Sequence, residues 1–411
     1  SPDPPSRVTV AARRCTTVVP MRAAIVTESF LPTLNGVTTS VCRVSEQLYA
    51  GGHDVRIVAP APAPDRFGEI RVATCPSVSV RQFPTGLPTP GLRQALEDFA
   101  PEVVHVASPF VLGARALQWA DRTQTPAVAI YQTDVPSYLA QHTPGRIGTR
   151  ASNAAWRWIR RMHAHADLTL APSSATIEEL RHHGIPRVER WRRGVDHSLF
   201  SPRWRGDAGA RELRRALSPA GEVLIGYVGR LAPEKELHRL AEAATIPGTR
   251  LVIVGDGPAR SEVGALLTEA VADTPGRPNR TPIFLGQRCG DDLARAYAAF
   301  DVFVHTGTRE TFGQTLQEAA AMGLPVVAPA RGGPIDLVDH GRSGYLFDPD
   351  RPGALREAAA TLVADPQLRT SMGEVGLARI AQCSWGALTA ELVGHYERAR
   401  VTRRARAPHA A

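Results

Sequence analysis

At 411 residues with 43% hydrophobic side chains, the chain is long enough for two ordinary cores and has a globular composition. No run of about 18 apolar residues occurs, which excludes a transmembrane helix, and five scattered cysteines without a C-x-x-C pair argue against a disulfide framework or zinc site and fit a reducing cytoplasm. The net charge of +8 is uneven: residues 1–200 hold 22 arginines against 16 acids, whereas 201–400 hold 23 basic residues against 24 acids. The surplus suits a polyanionic surface, lipid or nucleic acid, as well as ordinary solubility.

Residues 1–20 contain Pro and Arg and lack an apolar core, so they read as a disordered extension and not as a signal peptide. Strand patterns follow at 23–29, 54–60, 103–108, 127–133 and 168–173, and a second series at 223–229, 250–256, 282–286, 301–307 and 325–329. Helical segments such as TSVCRVSEQLYAGG separate them, which argues for βαβ units and parallel sheets. The expected class is therefore α/β with two doubly wound, Rossmann-like domains, 21–197 and 198–384, hinged near 193–202. Residues 385–400 are expected to form an amphipathic helix returning to the first domain, with 401–411 as a basic tail.

Doubly wound sheets bind ligands beyond the carboxyl ends of their strands. Asn35-Gly36, Ser108-Pro109 and Gln132-Thr133-Asp134 hold that position in the first domain. Arg230, Gly255-Asp256-Gly257, Gln287 and the stretch 307–313 hold it in the second. Within 309–328, Glu310 follows a strand and turn, and Thr311 to Gly313 open a helix running through Ala321. Free amides at a helix start attract anions, and Gly313 permits close approach. Glu318 lies about 12 Å beyond Glu310 if all eight steps are helical, so two acids would bracket an amide-rich turn. A plain surface helix with an acidic first turn would carry the same spacing.

Lys235, in GRLAPEKEL, is the single lysine of a chain with 47 arginines. Arg230 offers a planar fork and Lys235 a compact charge that follows a moving oxygen. Together they suit a departing diphosphate, which needs fixed cations in the transition state. The alternative is a solvated basic pair beside Glu234 and Glu236. No metal site is evident: Asp348-Pro349-Asp350 reads as a turn, and His163, His165, His182 and His183 lack partners at ligand spacing. The stretch NAAWRWIRRMHAHA (153–166) reads equally as a helix packed on its sheet and as a basic aromatic face for an anionic membrane.

The motifs G-R-L-x-x-E-K and E-x-F-G-x-x-x-x-E together resemble the family-four retaining glycosyltransferases of GT-B fold, and ESFLPTLNGVTTSV, VHVASPFVLG, YQTDVP, APSSAT, RGVD, VGDGP and GGPIDLVDHGRSGYLF follow in family order over about 21–400. YQTDVP and W-x-R-G-V-D resemble in particular the actinobacterial GDP-mannose-dependent α-mannosyltransferases that act on lipid acceptors. The resemblance implies that Arg230 and Lys235 neutralise the donor diphosphate and that Glu310 binds sugar hydroxyls near the reacting carbon. Phe312, Gly313, Gln314 and Thr315 would line the turn beside Thr311, and Glu318 would hold the ribose. Asn35 and Gly36 would close on the diphosphate, and Gly255, Asp256, Gly257, Gln287 and Arg288 would lie near the base. Many relatives carry histidine where this chain has Gln132, which cannot exchange a proton near neutral pH; Gln132 and, on the acceptor side, Asp134 would orient substrates. Glu236 stands where relatives often have glycine.

The implied reaction is front-face displacement with retention, the departing diphosphate taking the acceptor proton, with no cofactor and no metal. The expected partners are a sugar nucleotide, most of all GDP-mannose, a glycolipid or phosphoinositide acceptor and an anionic membrane at its cytoplasmic face. UDP-glucose is the alternative donor. An epimerase or phosphorylase on the same scaffold would need other catalytic residues. Non-catalytic nucleic-acid binding would need clustered basic and aromatic residues, whereas the second domain is near neutral.

Overall fold

Val- and Ile-rich runs flanked by glycine turns form strands buried on both faces, as expected of parallel sheets covered by helices. The structure is a computed structural model and describes residues 19–33, 35–80, 83–86, 90–107, 110–132, 136, 145–272 and 281–406. In the first half the strands are β1 (Arg22–Val26), β2 (Asp54–Pro60), β3 (Arg66–Phe67), β4 (Ile70–Cys75), β5 (Ser77–Val80), β6 (Phe83–Gly86), β7 (Val103–Val106), β8 (Ala127–Ile130), β9 (Leu168–Ala171) and β10 (Val188–Arg190). The second half holds β11 (Val223–Val228), β12 (Thr249–Val254), β13 (Ile283–Gly286), β14 (Val302–Val304), β15 (Val326–Pro329) and β16 (Gly344–Phe347).

Among the described residues, one sheet runs β10-β9-β8-β7-β1-β2-β4-β3 and the other β13-β12-β11-β14-β15-β16, while β5 and β6 form a separate hairpin. All pairings in the two large sheets are parallel except β3 with β4. Each sheet reverses its order about its first strand, β1 or β11, so each lobe has a switch point where ligands bind. Two parallel-sheet, Rossmann-like lobes are thus in place. The strand at 344–347, which the sequence reading placed only as the segment before a turn, closes the second sheet as an edge. After it, the amide of Asp350 bonds Asp348 Oδ1 at 3.0 Å, a local turn.

Five helices matter for the site: α1 (Gly36–Ala50), α2 (Gly145–His163), α3 (Ser174–His182), α4 (Gln314–Ala321) and α5 (Trp385–Arg406). Helix α5 crosses back to the first lobe, where Trp385, Leu392, Tyr396 and Ala399 join the core formed by Met21, Ile25 and Val44. Trp191 Nε1 donates to the Leu388 carbonyl at 2.9 Å, and Tyr396 Oη meets His105 Nδ1 at 2.8 Å. The crossing is tight: a Cβ on Gly194 would lie 2.6 Å from Trp385.

Residues 401–406, expected as part of a basic tail, are helical and packed. Helix α5 continues to Arg406, and Arg403 is 4% exposed. Its guanidinium bonds Asp167 at 3.0 Å and Asp121 at 2.7 Å, and Arg406 reaches the other oxygen of Asp167 at 3.0 Å. Two first-lobe carboxylates draw in arginines that the sequence presents as a solvated run.

Contacts across the lobes add to the covalent crossings. Asp336 accepts from the amide and hydroxyl of Ser174 at 2.5 and 2.7 Å, and Arg190 lies 3.3 Å from the same carboxylate. Gln314 and Gln317 of α4 donate to the carbonyls of Gly194 and Arg193, each at 3.1 Å. The carboxyl ends of both sheets therefore face one cleft.

Candidate active site

Strand β11 ends at Val228, and the turn after it carries Arg230 and Lys235. Asp256 and its neighbours lock this turn: Leu231 N–H donates to the Asp256 carbonyl and Ala259 N–H to the Leu231 carbonyl, both at 2.9 Å. Gly255 and Gly257 have φ of 137° and 157°, and a Cβ on either would strike the backbone carbonyl of Gly229 or Leu231 at 1.9 or 2.3 Å. Only glycine allows two loops to lie this close. Asp256, Gln287 and Arg288 are exposed at the end of the sheet.

Lys235 Nζ donates to Glu310 Oε2 at 2.7 Å, and the two side chains are 28% and 18% exposed. The solvated pair beside Glu234 and Glu236 is not what forms; the lysine reaches across to the second motif. The Glu310 carboxylate, chiefly, holds the Lys235 ammonium above its ordinary pKa despite burial. Burial would raise the Glu310 carboxyl, but Lys235, with His305 and Arg193, holds it down at about 2. Both groups are ionised throughout the working pH range. Arg230 is exposed, with no ion pair among the described residues.

The helix expected to open at Thr311 begins only at Gln314, with Gly313 left-handed at φ 101°. The Glu310–Glu318 segment is therefore only half helical. The preceding turn is fixed by Gly333 N–H donating to the Glu310 carbonyl at 2.7 Å and by Thr176 Oγ donating to the Thr311 carbonyl at 3.4 Å. Phe312 is 2% exposed, so its ring anchors the turn, and Gln314 spends its amide on the other lobe. Tyr297 Oη donates to Glu318 Oε2 at 2.9 Å and to the Thr315 carbonyl at 3.3 Å.

Burial pushes the Glu318 carboxyl up to about 7, against stabilising bonds from Tyr297 and Gln314. A raised folded-state pKa means that the folded protein binds this proton more tightly. The stabilisation is fully present below the unfolded value of 4.5 and is lost as pH rises through about 7. Glu318→Gln is expected to be more stable than the parent at pH 8 and nearly equal to it at pH 5, read from denaturant midpoints.

On the first lobe, Asn35 caps α1, its Oδ1 accepting from the amides of Val37 and Thr38 at 2.9 and 3.0 Å, and Gly36 opens the helix. Gln132 is 7% exposed; its Nε2 donates to the Ala107 carbonyl at 2.6 Å and its Oε1 accepts from Arg193. Asp134, with Ser108, Pro109 and Thr133, lies outside the described residues.

Two groups were missed by the sequence reading. Arg193, noted only within RGVD, contacts Gln132 and abuts Gly36. His305 Nε2 lies 3.7 Å from Glu310 Oε2, and burial pushes its imidazole down to about 4, so it is neutral beneath the carboxylate. A histidine immediately after a strand of the second series was the available signal.

Glu236, at the position where the family resemblance leads one to expect glycine, is left-handed at φ 50°. Its carboxylate accepts from Thr308 Oγ and from Arg239 Nε, the latter at 2.8 Å. Glu236→Gly would relieve about 1 kcal/mol of backbone strain and forfeit two charged hydrogen bonds worth about 1.5–3 kcal/mol each. The expected net is a loss of about 2–5 kcal/mol, measured by denaturant unfolding.

Residues 34–199 match the family described as Glycosyltransferase Family 4, and residues 210–379 match Glycosyl transferases group 1. The chain is 44% identical to a GDP-mannose-dependent alpha-mannosyltransferase of Mycolicibacterium smegmatis, over 92% of this chain and 97% of that protein. The chain is a family-four glycosyltransferase. A Corynebacterium glutamicum protein of the same description is 39% identical to this glycosyltransferase over 92% of the chain and 89% of its own length. Among solved structures, Anabaena HepE in complex with UDP superposes with a TM-score of 0.75 at 19% identity, covering 92% of this chain and all of that one. That likeness establishes the GT-B fold expected from the motifs.

Proposed function

We propose that this glycosyltransferase moves mannose from GDP-mannose to a membrane glycolipid or phosphatidylinositol-type acceptor. The observation that carries this reading is the Lys235–Glu310 pair at the mouth of the second sheet, in a chain 39–44% identical to GDP-mannose-dependent mannosyltransferases along nearly its whole length. A protein at 26% identity, described as a phosphatidylinositol dimannoside mannosyltransferase of Mycobacterium tuberculosis, supports the lipid acceptor.

In this reading Arg230 and Lys235 hold the diphosphate and Glu310 positions the sugar. Lys235 follows the charge that develops on the leaving oxygen. Glu318 takes the ribose hydroxyls, and Asp256 and Arg288 lie toward the base. With Glu310 held ionised and Gln132 unable to carry a proton, the leaving diphosphate accepts the acceptor proton, and displacement occurs on the front face with retention. Fixed cations take the role a divalent metal would otherwise fill, so chelator is expected to leave turnover unchanged.

The test is mass spectrometry of lipids after incubation with isotope-labelled GDP-mannose, with labelled UDP-glucose in parallel, and an actinobacterial membrane extract. Label in one lipid class from GDP-mannose alone supports the proposal; label only from UDP-glucose overturns the donor.

Membrane contact at the cytoplasmic face belongs to the same proposal. Helix α2 packs Trp156, Ile159 and Met162 inward, while Arg157, Trp158, Arg160 and Arg161 face outward, Trp158 at 40% exposure. A basic face with an indole suits an anionic interface. The protein is expected to float with phosphatidylglycerol liposomes at low salt and to be released at high salt. Arg157→Glu combined with Arg161→Glu should abolish flotation; unchanged flotation would remove α2 as the contact.

A further inference from the structure

Arg193 lies where the chain passes from the first lobe to the second, and its guanidinium is set between Gln132 and Gly36. Its Nη2 donates to Gln132 Oε1. Its Nη1 lies so near Gly36 that a Cβ there would approach to 2.8 Å. Its charge is also felt by Glu310, across the cleft. Burial lowers the guanidinium to about 10, which leaves it cationic at neutral pH.

The choice of partner is informative. Gln132 uses its donor on the Ala107 carbonyl and its acceptor on Arg193. A neutral amide fixes the guanidinium without cancelling its charge. Glu310 is already bonded to Lys235. Around Lys235, three cations, Arg193, Arg230 and Lys235, face Glu310 and Glu234, whose charges reach them. The amino-terminal end of α1, opening at Gly36, adds partial positive charge beside Arg193. Two like poles are set together and pinned there, an arrangement that an anion between them would stabilise.

We propose that Arg193 contacts the terminal phosphate of the donor's diphosphate as a third cation, and that Gln132 is its positioning residue. The proposal rests on the sugar-nucleotide reading above. It gives Gln132 a task that requires no proton exchange: to present a guanidinium undischarged.

The test is calorimetric binding of GDP, GMP and UDP to the whole chain. Arg193→Gln is expected to weaken GDP by about 10- to 100-fold, the worth of one charge-assisted contact, and to leave GMP within about twofold, a much smaller change. Arg193→Lys, which keeps the charge, should fall between the two. Gln132→Glu keeps an acceptor for Arg193 and neutralises it but loses the donor to the Ala107 carbonyl, whereas Gln132→Leu loses both bonds and adds no charge. GDP affinity should therefore drop further with Gln132→Glu than with Gln132→Leu, while GMP affinity stays level between the two; equal GDP losses would mean scaffolding alone. Equal losses for GDP and GMP, or none for either, overturn the proposal. A parent protein that binds neither GDP nor UDP refutes the donor reading instead.

Discussion

Lys235→Ala is expected to lower kcat for mannosyl transfer by a factor on the order of 10²–10³, the usual cost of removing one fixed group that stabilises transition-state charge. The ammonium is bonded to Glu310 at 2.7 Å, so its loss also frees the carboxylate that would position the sugar. Lys235→Arg keeps the charge but not the shape. A planar fork cannot occupy the space of a compact ammonium at that contact, and full rescue is not expected. Glu310→Gln should fall in parallel. Because Glu310 is held at about 2, its titration contributes no acidic limb to kcat above pH 4. Steady-state kinetics on the variants checks each point. Near-parental kcat in Lys235→Ala would remove the lysine from the chemistry.

Arg403→Ala is expected to destabilise the first lobe by about 3–5 kcal/mol, the cost of stranding a buried charge. Asp167 is fully buried; besides Arg403 it is held by Arg406 and by the amide of Ala127 at 2.9 Å. Arg406 is one-third exposed and compensates only in part. The double variant Arg403→Met, Asp167→Asn should cost less than the sum of the single variants Arg403→Met and Asp167→Asn, because neither buried charge remains to be stranded. Denaturant unfolding of the parent, the two single variants and the double variant reads the coupling, and additive effects would show that the two residues are not coupled.

The second lobe was the more legible in sequence. Its strands alternate with helices at short intervals, and Gly229–Lys235 and Glu310–Glu318 are continuous stretches at strand ends, where the physics of parallel sheets puts ligands. What the sequence hid is what needs distant segments. Arg193 becomes informative only when Gly36, Gln132 and Glu310 surround it. Arg403 looks like solvated charge until Asp121 and Asp167, far earlier in the chain, are seen to meet it. The short strand β16 (Gly344–Phe347) was missed because four residues between a glycine turn and Asp-Pro-Asp show little alternation. The delayed start of α4 comes from Gly313, whose left-handed backbone ends the turn before the helix begins.

The polypeptide passes between the lobes twice, and the passages touch: Val195 bridges Ser384, and the indole of Trp385 covers Gly194. Two adjacent strands of one covalent chain work like a spine with two stitches. Opening and closing about that line requires neither stitch to stretch, whereas sliding or twisting of one lobe past the other would shear the contact. A protease cut in a single passage would leave both halves fastened, so nicked protein is expected to elute as one species until denatured.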